Sequence, residues 1–251
     1  MIQLRHLTKR FGSLIAVSNL CLQVQEGEIF GFLGPNGAGK TTTIRMMTGL
    51  LKPTSGQVLL GGHDLATAPL KAKALCGFIP DHPFVYDKLT GREFLRFVGG
   101  LHQLEPYACE ARIEELLDLF TLASWGDDLV ENYSHGMKQR LVVTSALLHD
   151  PQMLVVDEPM VGMDPIGARL LKSLFRSLAA KGKTIFMSTH SLEVAQELCD
   201  RIGIILEGRL IALGTMAELR RQAGTDLGLE DIFLKLTAAP DLLEVIEALR
   251  A

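Results

Sequence analysis

This chain predicts an α/β fold, on three observations. Short apolar runs at residues 2–7, 20–24, 28–33, 57–60, 153–156, 184–188 and 201–206 are interleaved with helical patterns. One of these runs leads through a glycine-rich loop straight into a helical stretch, and between about 89 and 148 the β signal gives way to helical spacing altogether.

Size and composition suit this reading. With 251 residues, 47% of them hydrophobic, the chain can fill one large domain or a core with a subdomain, without covalent staples. Cys21, Cys76, Cys109 and Cys199 form no C-x-x-C pair, which argues against a zinc site and a disulfide framework and points to a reducing compartment. A net charge of -4 gives no basic footprint, so no nucleic-acid partner is expected. Met1-Ile2-Gln3-Leu4-Arg5-His6 lacks the charged-then-apolar design of a signal peptide. No window reaches the roughly 18 apolar residues of a membrane span, so a soluble chain is expected.

The elements follow in order. Runs 2–7 and 20–24 succeed one another with no helix between them, which predicts a small antiparallel sheet beside the main one. Run 28–33 opens the main sheet. In the insertion, Ile113, Leu116, Leu117 and Phe120 recur at i, i+3, i+4 and i+7, the spacing of a helix with one buried face. Pro151 closes the insertion and run 153–156 returns the chain to the sheet. Residues 229–236 and 240–249 read as two short helices. The expected division is a main domain over 1–220, with its helical subdomain at about 89–148, and a short helical tail over 221–251.

Gly34-Pro35-Asn36-Gly37-Ala38-Gly39-Lys40-Thr41 fits the spacing G-x-x-x-x-G-K-[ST], between the apolar residues 29–33 and the helical run that Thr42 opens. The glycines let successive N–H groups turn inward, and the positive end of the helix adds to the attraction for phosphate oxygens. Lys40 would reach the β- and γ-phosphates, and Thr41 would offer its hydroxyl to Mg²⁺. The alternative is an ordinary glycine-rich turn.

Met153-Leu154-Val155-Val156-Asp157-Glu158 is an apolar strand ending in two acids, which a buried strand delivers to the edge of the sheet where phosphates bind. Successive residues point opposite ways, so the acids take different roles. Asp157 would hold Mg²⁺, mostly through its water, and Glu158 would orient and deprotonate an attacking water. The alternative is a pair of solvated acids at a strand end. Residues 184–188 repeat the design, and the His190 just beyond them could hold the water and Glu158 in line.

With these residues in view, Asn132-Tyr133-Ser134-His135-Gly136-Met137-Lys138-Gln139-Arg140 resembles the signature motif of ATP-binding cassette (ABC) proteins, usually written L-S-G-G-Q. Tyr133 replaces Leu, His135 the first Gly and Met137 the Gln, while Ser134 and Gly136 keep their identities. Ser134 and the helix N–H groups that follow could donate to a γ-phosphate. Alternatively, Ser134 is an N-cap that satisfies only its own helix.

The resemblance covers nearly the whole chain. It implies a P-loop NTPase (RecA-like) core with an N-terminal antiparallel β subdomain and an inserted α-helical subdomain. It places Phe11 where an aromatic stacks on adenine, Asp164 at the D-loop acid beside the nucleotide, and His190 at the switch histidine. Asp81, in Gly77-Phe78-Ile79-Pro80-Asp81, stands where Gln is usual. Its side chain is a methylene shorter and cannot donate when ionised, so a water-bridged contact to Mg²⁺ is expected.

The family resemblance also implies ATP and Mg²⁺ as ligands. In it, two cassettes meet head to tail, as a homodimer or with a related ATPase subunit, and each ATP lies between Lys40 of one and Ser134 of the other. The motors sit on the cytoplasmic face of the cell membrane against a separate integral-membrane permease, for which Phe84 and Tyr86 are candidate contacts. Residues 78–83, 133–137 and 229–236 resemble export-type systems more than importers. The alternative function is a soluble, non-transport ABC ATPase acting on ribosomes or DNA.

Overall fold

The computed structural model describes residues 1–160, 163–224 and 228–237. A long hairpin of β1 (Ile2–Phe11) and β2 (Leu14–Val24) opens the chain. Along the C-terminal half of β2 buried and exposed residues alternate, the pattern of a strand with one wet face. β3 (Ile29–Leu33) is buried at every position and runs into the loop before α1 (Lys40–Met47). β4 (Ser55–Leu60) and the two-residue β5 (His63–Asp64) join the hairpin in an antiparallel sheet of order β2-β1-β4-β5. This is the small sheet that the uninterrupted opening runs predict.

After α2 (Pro69–Ala74) and β6 (Cys76–Ile79) comes the helical layer of α3 (Gly91–Leu101), α4 (Pro106–Leu119) and α5 (His135–Leu147). Ile113, Leu116, Leu117 and Phe120 are all buried there, as their spacing requires. The chain then returns through β7 (Met153–Asp157), α6 (Pro165–Ala180), β8 (Thr184–Ser188), α7 (Leu192–Leu198), β9 (Arg201–Leu206) and β10 (Arg209–Gly214). Helices α8 (Met216–Ala223) and α9 (Leu229–Thr237) follow.

The main sheet has the order β10-β9-β3-β8-β7-β6, parallel except for β10. β7 and β8, like β3, are buried throughout, because helices or the second sheet cover both faces. Sequence reading missed β5, β6 and β10. In β6 the apolar run is broken by Gly77, where a side chain would collide with the Ala146 carbonyl at the end of α5. β10 hairpins onto β9 through Glu207 and Gly208, both at positive φ (47° and 75°), the backbone of a tight two-residue turn.

The first tail helix forms as expected. The expected boundary at 220 falls inside α8, and α9 buries Leu229 and Ile232 in one cluster with Leu33, Ile202 and Leu219. The helix expected over 240–249 lies outside the described residues.

Candidate nucleotide site

The sheet order puts the C-terminal ends of β3, β8 and β7 side by side, with Phe32 in register with Ser188 and Ser188 with Asp157. Everything that follows these three strands therefore shares one edge. Gly39 caps α1 with φ 110° and no side-chain bond, and Gly37 sits at φ 79°. These left-handed positions turn the loop back on itself and leave the first N–H groups of α1 without a capping side chain, as an anion site needs.

Lys40 is buried to 8% exposure, and its Nζ donates to the carbonyls of Gly34 (2.6 Å) and Pro35 (3.2 Å). Burial pulls its pKa below the usual lysine value, against the opposing pull of Glu158 and Asp157. The Ser188 hydroxyl donates to Asp157 Oδ1, and Thr41 beside the carboxylate favours its charged form. Burial pushes Asp157 above the usual carboxylate range, and the negative charges of Asp81 and Glu158 push it the same way. Ser188 escaped the sequence reading. The signal was available: a hydroxyl at the tip of an apolar strand, one strand over from the acid.

Glu158 and His190 come together as expected. His190 Nδ1 lies 2.8 Å from Glu158 Oε2, and the His190 backbone N–H donates to the same oxygen at 3.2 Å. Glu158 holds φ 48°, unusual for a side chain of its size, and its own N–H is tied to the Ser188 carbonyl at 3.1 Å. That backbone turns its carboxylate away from Asp157 and toward the histidine, so the two adjacent acids face different partners.

Asp81 lies two residues beyond β6, whose Ile79 is in register with Val156. Its Oδ1 accepts from the N–H of His82, and its charge is felt by Asp157. Thr41, Asp157 and Asp81 form an oxygen-only donor set of the type Mg²⁺ prefers, with one or two carboxylates and room for phosphate oxygens and water. Among the described residues no cluster of three or more His, Cys, Asp or Glu could hold a metal unaided. The residues fit Mg²⁺ bound together with a nucleotide rather than by the protein alone.

Residues 17–161, more than half of the chain, match the family model described as ABC transporter. The chain belongs to the ABC transporter family. It is 40% identical over 226 residues to the probable multidrug ABC transporter ATP-binding protein YbhF of Escherichia coli, covering 90% of this chain and 39% of that relative. The linearmycin resistance ATP-binding protein LnrL of Bacillus subtilis is 37% identical over 226 residues, 90% of this chain and 73% of LnrL. The Nod factor export ATP-binding protein I of Burkholderia lata is 40% identical over 227 residues, 90% of this chain and 75% of the relative. Among solved structures, an ATP-binding subunit of an ABC transporter superposes with a TM-score of 0.89 at 32% identity, over 94% of this chain and 99% of that one. A dimeric ATP-binding cassette bound to ADP and Pi shares the fold, with a TM-score of 0.79 at 24% identity, over 86% of this chain and 99% of that one.

The remaining expected site residues of the cassette lie on other elements, α5, α6 and the end of β1. Ser134 caps α5 and accepts from the Met137 N–H at 3.3 Å, so the local capping role is realised. Tyr133, in place of the usual Leu, is buried and donates its hydroxyl to the Trp125 carbonyl at 2.7 Å, which anchors the start of the helix. Gly136 faces open space. Asp164 caps α6 by accepting from the Gly167 N–H at 2.6 Å. Phe11 ends β1 as a residue 48% exposed, with Lys9 Nζ 5.0 Å from its ring centroid, so it is a surface residue.

Proposed function

We propose that this cassette binds Mg²⁺-ATP and hydrolyses it to drive export through a separate membrane-spanning permease. The carrying observation is the Glu158–His190 pair, held at 2.8 Å on the same sheet edge as Lys40 and Asp157. Lys40 and the N–H groups of Gly34 and of 36–42 grip the phosphates, with Pro35 shaping the loop and Thr42 at the helix start, and Phe11 supports the base. Thr41 and Asp157 hold the cation, with Asp81 acting through water. When bound, Mg²⁺ supplies neutralisation of the charge that builds up between the β- and γ-phosphates. Glu158 accepts the proton of the attacking water. His190, bonded to the same carboxylate, orients it and reaches the γ-phosphate.

A second copy completes the site. In this reading Ser134 and Gly136 of the partner subunit contact the γ-phosphate, and Asp164 lies along the shared face. ATP closes the pair and hydrolysis lets it reopen. Phe84 and Tyr86, at 77% and 57% exposure, lie at the entrance of the helical subdomain and serve as docking contacts for the permease on the cytoplasmic face. No described helix is long and apolar enough to cross a membrane. The export-related names of the relatives support the outward direction. The catalytic unit runs through the end of α8, and α9 packs onto it in the cluster that holds Leu33.

Glu158→Gln tests the centre of this reading. ATP binding is expected to persist while turnover falls by roughly 10²–10⁴-fold, the usual worth of a general base, and an ATP-loaded dimer accumulates in light scattering. Turnover near the wild-type rate would remove Glu158 from its role.

A further inference from the structure

Helix α9, the last of the described elements, reaches the nucleotide edge. Leu229 and Ile232 anchor it in the cluster that holds Leu33, the last residue of β3 before the phosphate loop. The Leu229 N–H donates to Gln196 Oε1 on α7 at 2.9 Å, so the helix is also tied to the element that follows His190. One turn of chain carries Ile232 into the core and leaves Phe233 half-buried at the rim. Phe233 lines a cleft of about 350 Å³ together with Pro35 and Asn36 of the phosphate loop and His190 and Leu192 of the switch segment.

We propose that Phe233 is a positioning residue for His190. The switch segment needs it. His190 follows β8 on a short connection, its side chain is 66% exposed, and its two bonds both go to one oxygen of Glu158. Among the described residues the imidazole makes no other hydrogen bond that would fix its approach to the γ-phosphate side. A large, flat, rigid side chain delivered from α9 limits how far the segment can swing away from the loop, at the cost of only two side-chain torsions. The same helix thus reads both walls of the cleft: the loop through Leu33 and the switch through α7.

This inference rests on Glu158 and His190 acting in hydrolysis, and its consequence is kinetic. Loss of positioning by about 1 Å can cost up to roughly 10²-fold in the chemical step, while the phosphate grip of Lys40 is made elsewhere. Phe233→Ala is therefore expected to lower kcat by roughly 10–10²-fold with KM for Mg²⁺-ATP little changed, and Phe233→Leu to restore much of the rate.

Hydrogen exchange supplies a second readout on the full chain. The His190 amide, which donates to Glu158, should exchange faster in Phe233→Ala, while the amides of β8 keep their protection. An unchanged kcat, an unchanged His190 amide, or loss of protection spread equally through β8 would each overturn the proposal. If wild-type turnover proves insensitive to Glu158→Gln, the hydrolytic reading itself fails. If turnover depends on Glu158 but not on Phe233, only the positioning role fails.

Discussion

The helical insertion and the nucleotide edge of the main sheet both carry many charges, and they treat them in opposite ways. In the insertion, Arg92 forks onto Glu114 at 2.7 and 3.0 Å and reaches Asp127 at 2.7 Å, and Arg96 forks onto Glu110 at 2.6 and 3.0 Å. Thr90 and Glu93 cap α3 reciprocally, and Glu105 caps α4. Hydrogen bonds from Arg92 and Arg96 hold Glu114 and Glu110 below the usual carboxylate range, and the N–H groups of Ala108 and Tyr107 do the same for Glu105. At the sheet edge every resolved shift runs against the charged form: burial lowers Lys40 and raises Asp157. The insertion satisfies its own ions, whereas the edge keeps Lys40 and Asp157 buried against the preference of their charged forms, as a site shaped for a charged ligand does.

The largest break in this contrast is Lys40→Ala. Charge-assisted hydrogen bonds are worth about 1.5–3 kcal/mol each, so removing the ammonium is expected to weaken ATP binding by roughly 10²-fold or more. Titration calorimetry against Arg96→Ala, expected to bind ATP as wild type does, measures it. Equal affinities for the two variants would dissolve the distinction between the regions.

Asp157→Asn comes next, and it separates function from stability. The folded pKa of Asp157 is raised, so the stability linked to its protonation is fully present below the ordinary aspartate value near 3.8 and is lost as pH rises through the higher folded value. Asn can still accept from Ser188 and carries no charge. The nucleotide-free variant should therefore melt above wild type at pH 7, by about 2–4 °C for each kcal/mol relieved, and the gap should close toward pH 3 to 4. Mg²⁺-dependent turnover should be lost in the same variant. A variant that melts below wild type at pH 7 would show that the edge is not a store of uncompensated charge.

How far this edge was legible follows from its chemistry. Lys40, Asp157, Glu158 and His190 stand at the ends of apolar runs, and a parallel sheet brings such ends together, so spacing alone was enough to group them. Ser188 was passed over because the signal it gives, a hydroxyl closing an apolar run, gains meaning only once the strand beside it is known to carry the acid. β10 went unread although Leu210-Ile211-Ala212-Leu213 is an apolar run, because so short a run close behind β9 reads equally as part of a helix until the tight turn at Glu207 and Gly208 is known. The reach of α9 is the deepest omission. Its helical period was visible, but that Phe233 borders the same cleft as Asn36 depends on packing through Leu33 and Gln196, contacts separated by more than the sequence pattern can express.

The smallest expected effect sharpens the other side of the contrast. Glu114 is half exposed, so its pair with Arg92 is screened by solvent and is worth at most about 1 kcal/mol. Its folded pKa is depressed, so that contribution is present above the ordinary glutamate value near 4.5 and is lost as pH falls through the lower folded value. Glu114→Gln should accordingly melt slightly below wild type at pH 7 in low salt, by no more than about 4 °C, with ATP turnover unchanged. The deficit should shrink in about 1 M salt, where the screening length falls to about 3 Å, and close in acid. Asp157→Asn and Glu114→Gln remove the same charge from the same fold and are expected to shift the melting temperature in opposite directions at pH 7. If both shift it the same way, burial and partnering do not divide the two regions as their hydrogen bonds imply.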